Sequence, residues 1–317
     1  MRPARGAGGH VRRRAVRALR GWKTTAIAGA IALAAGGCVT VSPISNSGDF
    51  PVASGVNVAG SQTFSNMAGR HKIIIGVKND QPGIGYYDPQ TRKYSGFDIE
   101  IAELVAAGLG FGLSQIQFVP IESIDRETAL ENGSVDMVVA SYSYTAGRSQ
   151  EVSFAGPYFE TNEGLLIRSK DTSIKGMSSL TASDKVCSAA NSTPLQQLTD
   201  HSLTPAQAVA LGSYSECVDQ LIAGKVAGVY TDLAIDAGYA AQDPGRLKVI
   251  PVNAAQTQYY GIGVQLGENN LVAKINQILS SAEQDGTWKA IFNATLAPSG
   301  IQPVIPPVGN FPSAPSS

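Results

Sequence analysis

The sequence predicts an α/β protein made of two separate units, each with a sheet flanked by helices. Short β-branched runs alternate with segments of helical period, which is the βαβ rhythm. In the first unit these patterns lie at 73–77, 101–109, 116–119 and 135–140, and in the second at 186–189, 216–222, 226–230 and 247–252. The body from about residue 70 to 297 is long enough for two units of roughly 110 residues each.

The chain continues with a strand pattern at 261–264 and helical patterns at 271–282 and 287–292. Apolar residues at helical spacing in both helical segments predict that each packs against a core. From the pattern alone, these elements could belong to either unit.

The first 38 residues have the order of an export signal. They hold eight of the 24 Lys+Arg and none of the 25 Asp+Glu, and the apolar run Ala26 to Ala35 follows the basic stretch. This order predicts a secretory signal peptide over 1–37. A membrane-spanning helix is the weaker alternative, because the run has about ten residues where a span needs about 20.

Cys38 follows the small residues Gly36 and Gly37. This resembles the bacterial lipobox, in which the cysteine thiol is diacylated and becomes the mature N-terminus, although Ala35 stands where Leu is usual. We expect a lipid on Cys38. The alternative is ordinary signal-peptide cleavage beside an incidental cysteine.

Two segments flank the predicted body. Residues 38–70 are interpreted as a lipidated N-terminus with a flexible tether, because 39–69 is rich in Ser, Gly and Asn and has no sustained apolar period. Residues 298–317 are rich in Pro and Ser, which predicts an irregular tail outside the core.

Composition excludes several classes of protein. Beyond residue 38 the chain carries 16 Lys+Arg against 25 Asp+Glu, a net charge of −9, which argues against a nucleic-acid partner. There is no CxxC or His cluster with metal spacing, so we expect no metal and no cofactor. His71 and His201 lie beside no candidate nucleophile, so no catalytic triad is expected.

With Cys38 committed to lipid, Cys187 and Cys217 leave one possible pairing. In an exported protein a disulfide is favoured over two buried free thiols.

Five motifs occur in order within the body. They are Gly96-Phe97-Asp98-Ile99-Glu100-Ile101-Ala102, Val135-Asp136-Met137-Val138-Val139-Ala140, Thr145-Ala146-Gly147-Arg148, Val152-Ser153-Phe154-Ala155-Gly156-Pro157-Tyr158 and Gly228-Val229-Tyr230-Thr231-Asp232. Together they resemble the family 3 extracellular solute-binding proteins of amino-acid ABC transporters, of the glutamate-binding lipoprotein type. The resemblance implies a two-lobe periplasmic-binding-protein-like fold (type II), with a mixed sheet flanked by helices in each lobe and two hinge strands.

The resemblance also implies domain boundaries. Lobe 1 would be discontinuous, over 71–159 and 259–297, and lobe 2 would cover 160–258. Pro157-Tyr158-Phe159 and Tyr259-Tyr260-Gly261 resemble the two crossings between the lobes.

An enclosed amino acid needs partners for its carboxylate and its ammonium, because both lose water. Arg148 matches the family's carboxylate-binding arginine, whose planar fork suits two oxygens. The other residues that match this end of the ligand are Ser141, Ser143, Ser192, Thr193 and, for the ammonium, Asp232. Asn191 replaces the usual Gly before Ser192, a substitution that the left-handed backbone angles of Asn tolerate. The alternative for Arg148 and Asp232 is solvated surface charge.

Lys78 and Arg126 match basic residues that contact the side-chain carboxylate in glutamate- and aspartate-binding members, including the spacing of 22 between Arg126 and Arg148. Asp80 and Tyr214 lie in segments that resemble the same branch, and we place both among the ligand-binding residues. The alternative for Arg126 is a surface residue at a helix start, since Asp125 and Glu127 flank it.

The predicted function is a tethered, monomeric receptor on the extracytoplasmic face of a bacterial membrane. It would bind glutamate, or aspartate, by lobe closure and deliver it to ABC permease subunits. Alternatives are a sensor for a membrane signalling protein with the same pocket, or a preference for glutamine or asparagine. An enzyme is the least favoured, because no carboxylate beyond Asp232 and Asp80 is offered as general acid or base.

Overall fold

The computed structural model describes residues 50–199, 204, 206–252 and 257–311. The predicted signal peptide, the lipidation site Cys38 and residues 39–49 of the predicted tether lie outside this part. Within the described residues, no helix is long and apolar enough to cross a membrane.

The described chain contains thirteen strands and eight α-helices. The strands are β1 Ile73–Val77, β2 Asp80–Gln81, β3 Gly85–Asp88, β4 Lys93–Ser95, β5 Ile116–Pro120, β6 Met137–Val139, β7 Val152–Thr161, β8 Glu163–Arg168, β9 Lys185–Ala189, β10 Gln207–Leu211, β11 Gly228–Asp232, β12 Leu247–Val252 and β13 Gln258–Gln265. The helices are α1 Gln62–Arg70, α2 Phe97–Gly108, α3 Arg126–Glu131, α4 Thr193–Thr199, α5 Tyr214–Ile222, α6 Leu233–Gln242, α7 Asn269–Gln284 and α8 Thr287–Thr295.

The strands form two five-stranded sheets and one small sheet. The first sheet has the order β5-β1-β6-β13-β7 and the second β10-β9-β11-β8-β12, while β2, β3 and β4 form a meander. In the first sheet β1 runs parallel to β5 and β6, and β13 runs antiparallel to β6 and β7. In the second, β9 is parallel to β10 and β11, and β8 is antiparallel to β11 and β12. Both sheets are therefore mixed, as the predicted α/β fold requires.

We call the first sheet with the meander, α2, α3, α7 and α8 lobe 1, and the second sheet with α4, α5 and α6 lobe 2. The chain passes into lobe 2 between Thr161 and Glu163 and returns before Gln258. The predicted boundaries, after residues 159 and 258, fall within β7 and at the start of β13. This topology places the carboxyl ends of strands from both sheets near the crossings, which is where such folds bind ligands.

The two closing helices pack on lobe 1. Buried Leu271, Ile275 and Leu279 repeat every four residues along α7, which forms one apolar stripe. In α8, the Trp288 indole donates to the carbonyl of Tyr158 at 2.7 Å and meets Phe97 edge-on. The sequence pattern does not assign these helices to either unit, and their packing against β7 and α2 places them in lobe 1.

The prediction of a flexible tether through Gly69 is wrong from Phe50 onward. Residues 62–70 form α1, whose N-cap Ser61 accepts a hydrogen bond from the Phe64 N–H at 3.0 Å. Phe50, Phe64 and Met67 are buried in the main core. A few well-spaced apolar side chains anchor this segment although its composition is that of a linker.

Residues 300–311 of the C-terminal segment form no helix or strand, yet they pack against lobe 1. The Gly309 N–H donates to the carbonyl of Gly156 at 2.7 Å, and the Phe311 ring stacks on Tyr144 with centroids 4.5 Å apart. A side chain at Gly261 would meet the Phe311 ring at 2.7 Å, so glycine is what allows this approach. The segment is irregular, as predicted, but it covers the crossing strands.

Cys187 on β9 and Cys217 on α5 form the predicted disulfide, with Cα atoms 5.5 Å apart. The bond ties α5 to the second sheet.

Candidate ligand-binding site

A small enclosed cavity lies between the lobes, and eight of the ten predicted site residues line it. Its volume is about 10 Å³, room for about one water molecule, so an amino acid enters only when the lobes or these side chains move apart. The predicted residues on its wall are Arg126, Ser141, Ser143, Arg148, Ser192, Thr193, Tyr214 and Asp232. Ser123, Pro194 and Ile235 also line it, and the motifs did not indicate them.

Arg148 begins a 3-10 turn after β6 and reaches both lobes. Its Nη1 donates to the Ser143 carbonyl at 2.8 Å, and its Nη2 donates to the Asn191 carbonyl of lobe 2 at 2.6 Å. Its Nε lies 3.2 Å from a carboxylate oxygen of Glu127. Burial, together with repulsion from Arg126, lowers the pKa of Arg148 to about 10, so the guanidinium stays charged at neutral pH.

Arg126 is buried at the start of α3, so the alternative of a solvated surface residue is wrong. Its Nε donates to the Ser123 carbonyl at 3.1 Å, and its Nη1 lies within 3.3 Å of two main-chain carbonyls at Ala140 and Ser141. Among the described residues, its Nη2 has no hydrogen-bond partner. The guanidinium carbon lies 4.4 Å from the centroid of the Tyr142 ring. Main-chain carbonyls thus hold the Arg126 guanidinium at the cavity wall and leave some of its N–H donors unused.

Asp232 ends β11 in lobe 2. One carboxylate oxygen accepts the Tyr260 hydroxyl at 2.6 Å, and the other is buried with no partner among the described residues. Burial raises the pKa of Asp232 to about 6, against the hydrogen bond from Tyr260 and the charges of Arg126 and Arg148. A buried carboxylate oxygen with no donor fits a cationic group of a ligand.

Residues that do not line the cavity hold the small residues of its wall in place. Ser141 has a left-handed φ of 42°, and its N–H donates to the Asp98 carboxylate at 2.6 Å. This leaves its hydroxyl, and not its main-chain N–H, for a ligand. Burial raises the pKa of Asp98 to about 7, against the hydrogen bonds from Ser141 and Tyr158 and the charges of Arg126 and Lys78. The motifs included Asp98 but gave it no role.

On the lobe 2 side, Asn191 has a φ of 57°, as the substitution of the usual Gly leads one to expect. The Thr193 hydroxyl donates to the Gln258 side chain at 3.0 Å, and the Ser192 hydroxyl accepts from the Leu195 N–H at 3.1 Å. These bonds fix the turn against the start of β13.

Two predicted residues lie outside the cavity wall. Lys78 is buried after β1, where its Nζ donates to the Ile121 carbonyl at 3.0 Å, and burial with repulsion from Arg126 lowers the pKa of Lys78 to about 8. Asp80 instead accepts the Ser215 N–H at 3.1 Å, and its carbonyl accepts the Tyr239 hydroxyl at 2.6 Å. Lys78 adds a positive charge outside the cavity wall, and Asp80 connects lobe 1 with lobe 2 through hydrogen bonds.

Two lobes that enclose a buried arginine, a second buried cation and an unpaired carboxylate define a receptor for a small charged solute. The chain belongs to the bacterial extracellular solute-binding proteins, family 3, whose model matches residues 73–296. Membership of this family of receptors places the protein outside the cytoplasm.

Curated relatives agree with this class. The chain is 34% identical to a glutamate-binding protein, GluB, of Corynebacterium glutamicum, over 72% of this chain and 80% of that protein. It is 30% identical to the ABC transporter glutamine-binding protein GlnH of Bacillus subtilis, over 73% and 83% respectively. Both are binding proteins.

A solved structure shows the same two-lobe fold. The solute receptor for L-cysteine of Neisseria gonorrhoeae is similar with a TM-score of 0.70 and 26% identity, over 76% of this chain and 97% of that one. The predicted fold is confirmed.

Proposed function

We propose that this protein is a lipid-anchored receptor that binds L-glutamate or L-aspartate by lobe closure and delivers it to an ABC permease. The observation that carries the proposal is the second buried arginine. Arg148 suffices for an α-carboxylate and Asp232 for an α-ammonium, so the spare donors of Arg126 are left for another anionic group.

Lys78 supports the same assignment from behind the wall. Its ammonium is buried and Arg126 repels it. The negative charges of Asp80, Glu122 and Asp125 offset this only in part, since the pKa of Lys78 remains lowered. A ligand side-chain carboxylate beside Arg126 would add further negative charge. The similarity to a glutamate-binding protein agrees with this ligand class.

Glutamine is the second candidate, because Asp98 and Glu127 are buried near the two arginines and offset their charge. The similarity to a glutamine-binding protein favours it too. An amide oxygen would then accept from Arg126 without adding a negative charge.

The function is tested by uptake of labelled L-glutamate in cells with and without the gene. We expect loss of uptake in the deletion and competition by unlabelled aspartate but not by arginine. Unchanged uptake in the deletion would contradict delivery to a permease.

The lipid anchor rests on the sequence order around Cys38 and has a separate test. Mass spectrometry of the mature N-terminal peptide should show a diacylated Cys38, and Cys38→Ala should release the protein into the soluble fraction. An unmodified Cys38 in membrane fractions would contradict the anchor.

A further inference from the structure

Glu127 lies next to Arg126 in sequence, but its carboxylate serves Arg148. Its Oε1 accepts the Tyr142 hydroxyl at 2.8 Å and lies 3.2 Å from the Arg148 Nε. Its Oε2 lies 3.5 Å from the Asn191 amide nitrogen of lobe 2. The side chain is buried and does not line the cavity.

The bonds to Arg148 leave a definite part of its guanidinium free. A guanidinium has five N–H donors in a planar fork, one on Nε and two on each terminal nitrogen. The carbonyls of Ser143 and Asn191 each accept one donor from a terminal nitrogen, and Glu127 lies at ion-pair distance, 3.2 Å, from Nε. One N–H remains on Nη1 and one on Nη2, and this pair suits the two oxygens of a carboxylate.

The orientation of that fork depends on what holds Nε. The Tyr142 ring lies 5.4 Å from the Arg148 guanidinium carbon, and its hydroxyl fixes the Glu127 oxygen that Nε meets. Ser143 and Asn191 hold the terminal nitrogens through their carbonyls. Among the described residues, Glu127 is the one carboxylate in an ion pair with Arg148, and it does not line the cavity.

We propose that Glu127 is a positioning residue that fixes the Arg148 fork for the α-carboxylate of the ligand. This rests on the proposed function, since it assumes an amino acid in the cavity. Because every amino acid presents the same α-carboxylate, Glu127 governs affinity for glutamate and glutamine alike. Arg126, in contrast, governs the choice between them.

The test compares the full chain with its Glu127→Ala and Glu127→Gln variants by titration with L-glutamate and L-glutamine. Glu127→Ala removes both acceptors, so we expect both ligands to weaken by the same factor, at least about tenfold. Glu127→Gln keeps an acceptor oxygen for Nε and the Tyr142 hydroxyl, so we expect it to bind within about threefold of the parent. Glu131→Ala, at the exposed end of α3, is the matched control and should bind like the parent.

A spectroscopic readout separates positioning from a general loss of folding. The ¹⁵N-detected Nε–H signal of Arg148, assigned by its absence in Arg148→Lys, should shift and exchange faster with water in Glu127→Ala. If Glu127→Ala does not fold, Tyr142→Phe provides the second variant. It removes only the hydroxyl that fixes Glu127 and should shift the same signal and weaken both ligands equally.

Three results would overturn the inference: parent-like binding by Glu127→Ala, loss for one ligand only, or an unchanged Arg148 signal. A Glu127→Gln variant as weak as Glu127→Ala would overturn it as well. If the parent chain binds neither amino acid, the proposed function itself fails, which is a different outcome.

Discussion

Arg148 contacts residues of both lobes at the proposed carboxylate site. It donates to Ser143 in lobe 1 and to Asn191 in lobe 2, and it pairs with Glu127. A lysine could not replace this planar fork, because it offers only a point charge.

Replacement of Arg148 by Ala should therefore weaken L-glutamate and L-glutamine together, by at least about a hundredfold, since the α-carboxylate would be buried unpaired. Titration calorimetry measures both ligands. Arg92→Ala, an exposed arginine on the loop before β4, is the control and should not change either. Retained binding of either ligand by Arg148→Ala would remove this arginine from the site.

The raised pKa of Asp232 predicts how ligand binding depends on pH. The pKa of this carboxyl is raised to about 6, so it loses its charge as the pH falls below 6, and its attraction for the ligand ammonium disappears. The dissociation constant for glutamate should rise about tenfold per pH unit there. The titratable groups that interact with Asp232 are Arg126, Arg148, Glu163, Asp236, Tyr214, Tyr230 and Tyr260.

Titrations between pH 4.5 and 8 check this dependence. Asp232→Asn should bind more weakly at pH 8 and lose most of the slope below pH 6. A slope that persists unchanged in Asp232→Asn would assign the titration to another group.

At the scale of elements, Asp80 connects the meander of lobe 1 with two helices of lobe 2. Its side chain accepts the N–H of Ser215 on α5, and its carbonyl accepts the hydroxyl of Tyr239 on α6. A side chain at Gly238 would meet the Pro82 carbonyl at 2.0 Å, so the elements approach as closely as glycine allows. We expect these contacts to break when the lobes open.

Asp80→Ala should therefore favour the open form and weaken glutamate and glutamine by the same factor, about three- to tenfold. Small-angle X-ray scattering should show a larger radius of gyration without ligand. Asp80→Asn keeps an acceptor oxygen and should recover most of the affinity. A loss confined to one ligand would instead make Asp80 a direct contact, as the sequence motifs imply.

Some elements could be predicted from sequence because local pattern determines them. Residues 73–77 and 247–252 are rich in Ile, Val and Leu, and the strands β1 and β12 have those bounds. The helix α1 gave no such signal, because only Phe64 and Met67 mark its apolar face in a polar stretch. Its burial depends on distant contacts, such as the Thr63 N–H with Glu268 at 2.7 Å.

The residues of the site also differ in how well the sequence predicts them. The ordered motifs predict the residues that line the cavity, but not the residues outside the wall that hold those side chains in place. Glu127 and Asp98 act through partners 21 and 43 positions away, which no local spacing reveals. The one sequence signal for Glu127 is its position beside Arg126, and this supports only the alternative in which Arg126 is a surface residue at a helix start.

At the scale of the whole molecule, buried carboxyl groups set the pH dependence of stability. Burial raises the pKa of Glu163, at the start of β8, to about 7. Its Oε1 accepts from Gln197 at 2.5 Å and from Gln258 at 3.2 Å, and its Oε2 meets the Tyr230 hydroxyl. A folded-state pKa above the unfolded value means that this contribution to stability is full below about pH 4.5 and is lost as the pH rises through 7.

Glu163→Gln should therefore stabilise the protein at pH 8, by up to about 3 kcal/mol, and leave it unchanged at pH 4.5. The amide that replaces the carboxyl can retain these hydrogen bonds. Because the Tyr230 hydroxyl also donates to Gln197 at 2.9 Å, the Tyr230 oxygen can accept from the amide. Thermal unfolding at both pH values measures the effect. A variant that is less stable at pH 8 would show that Glu163 is charged and well compensated.

An acidic-amino-acid receptor requires that Arg126 bind a second carboxylate of the ligand. The most direct measurement is calorimetric titration of the ligand-free parent and of Arg126→Ala with L-glutamate and L-glutamine. We predict that the parent prefers glutamate and that Arg126→Ala weakens glutamate about a hundredfold while it leaves glutamine nearly unchanged. A parent that prefers glutamine, or an equal loss of both ligands in Arg126→Ala, would contradict an acidic-amino-acid receptor.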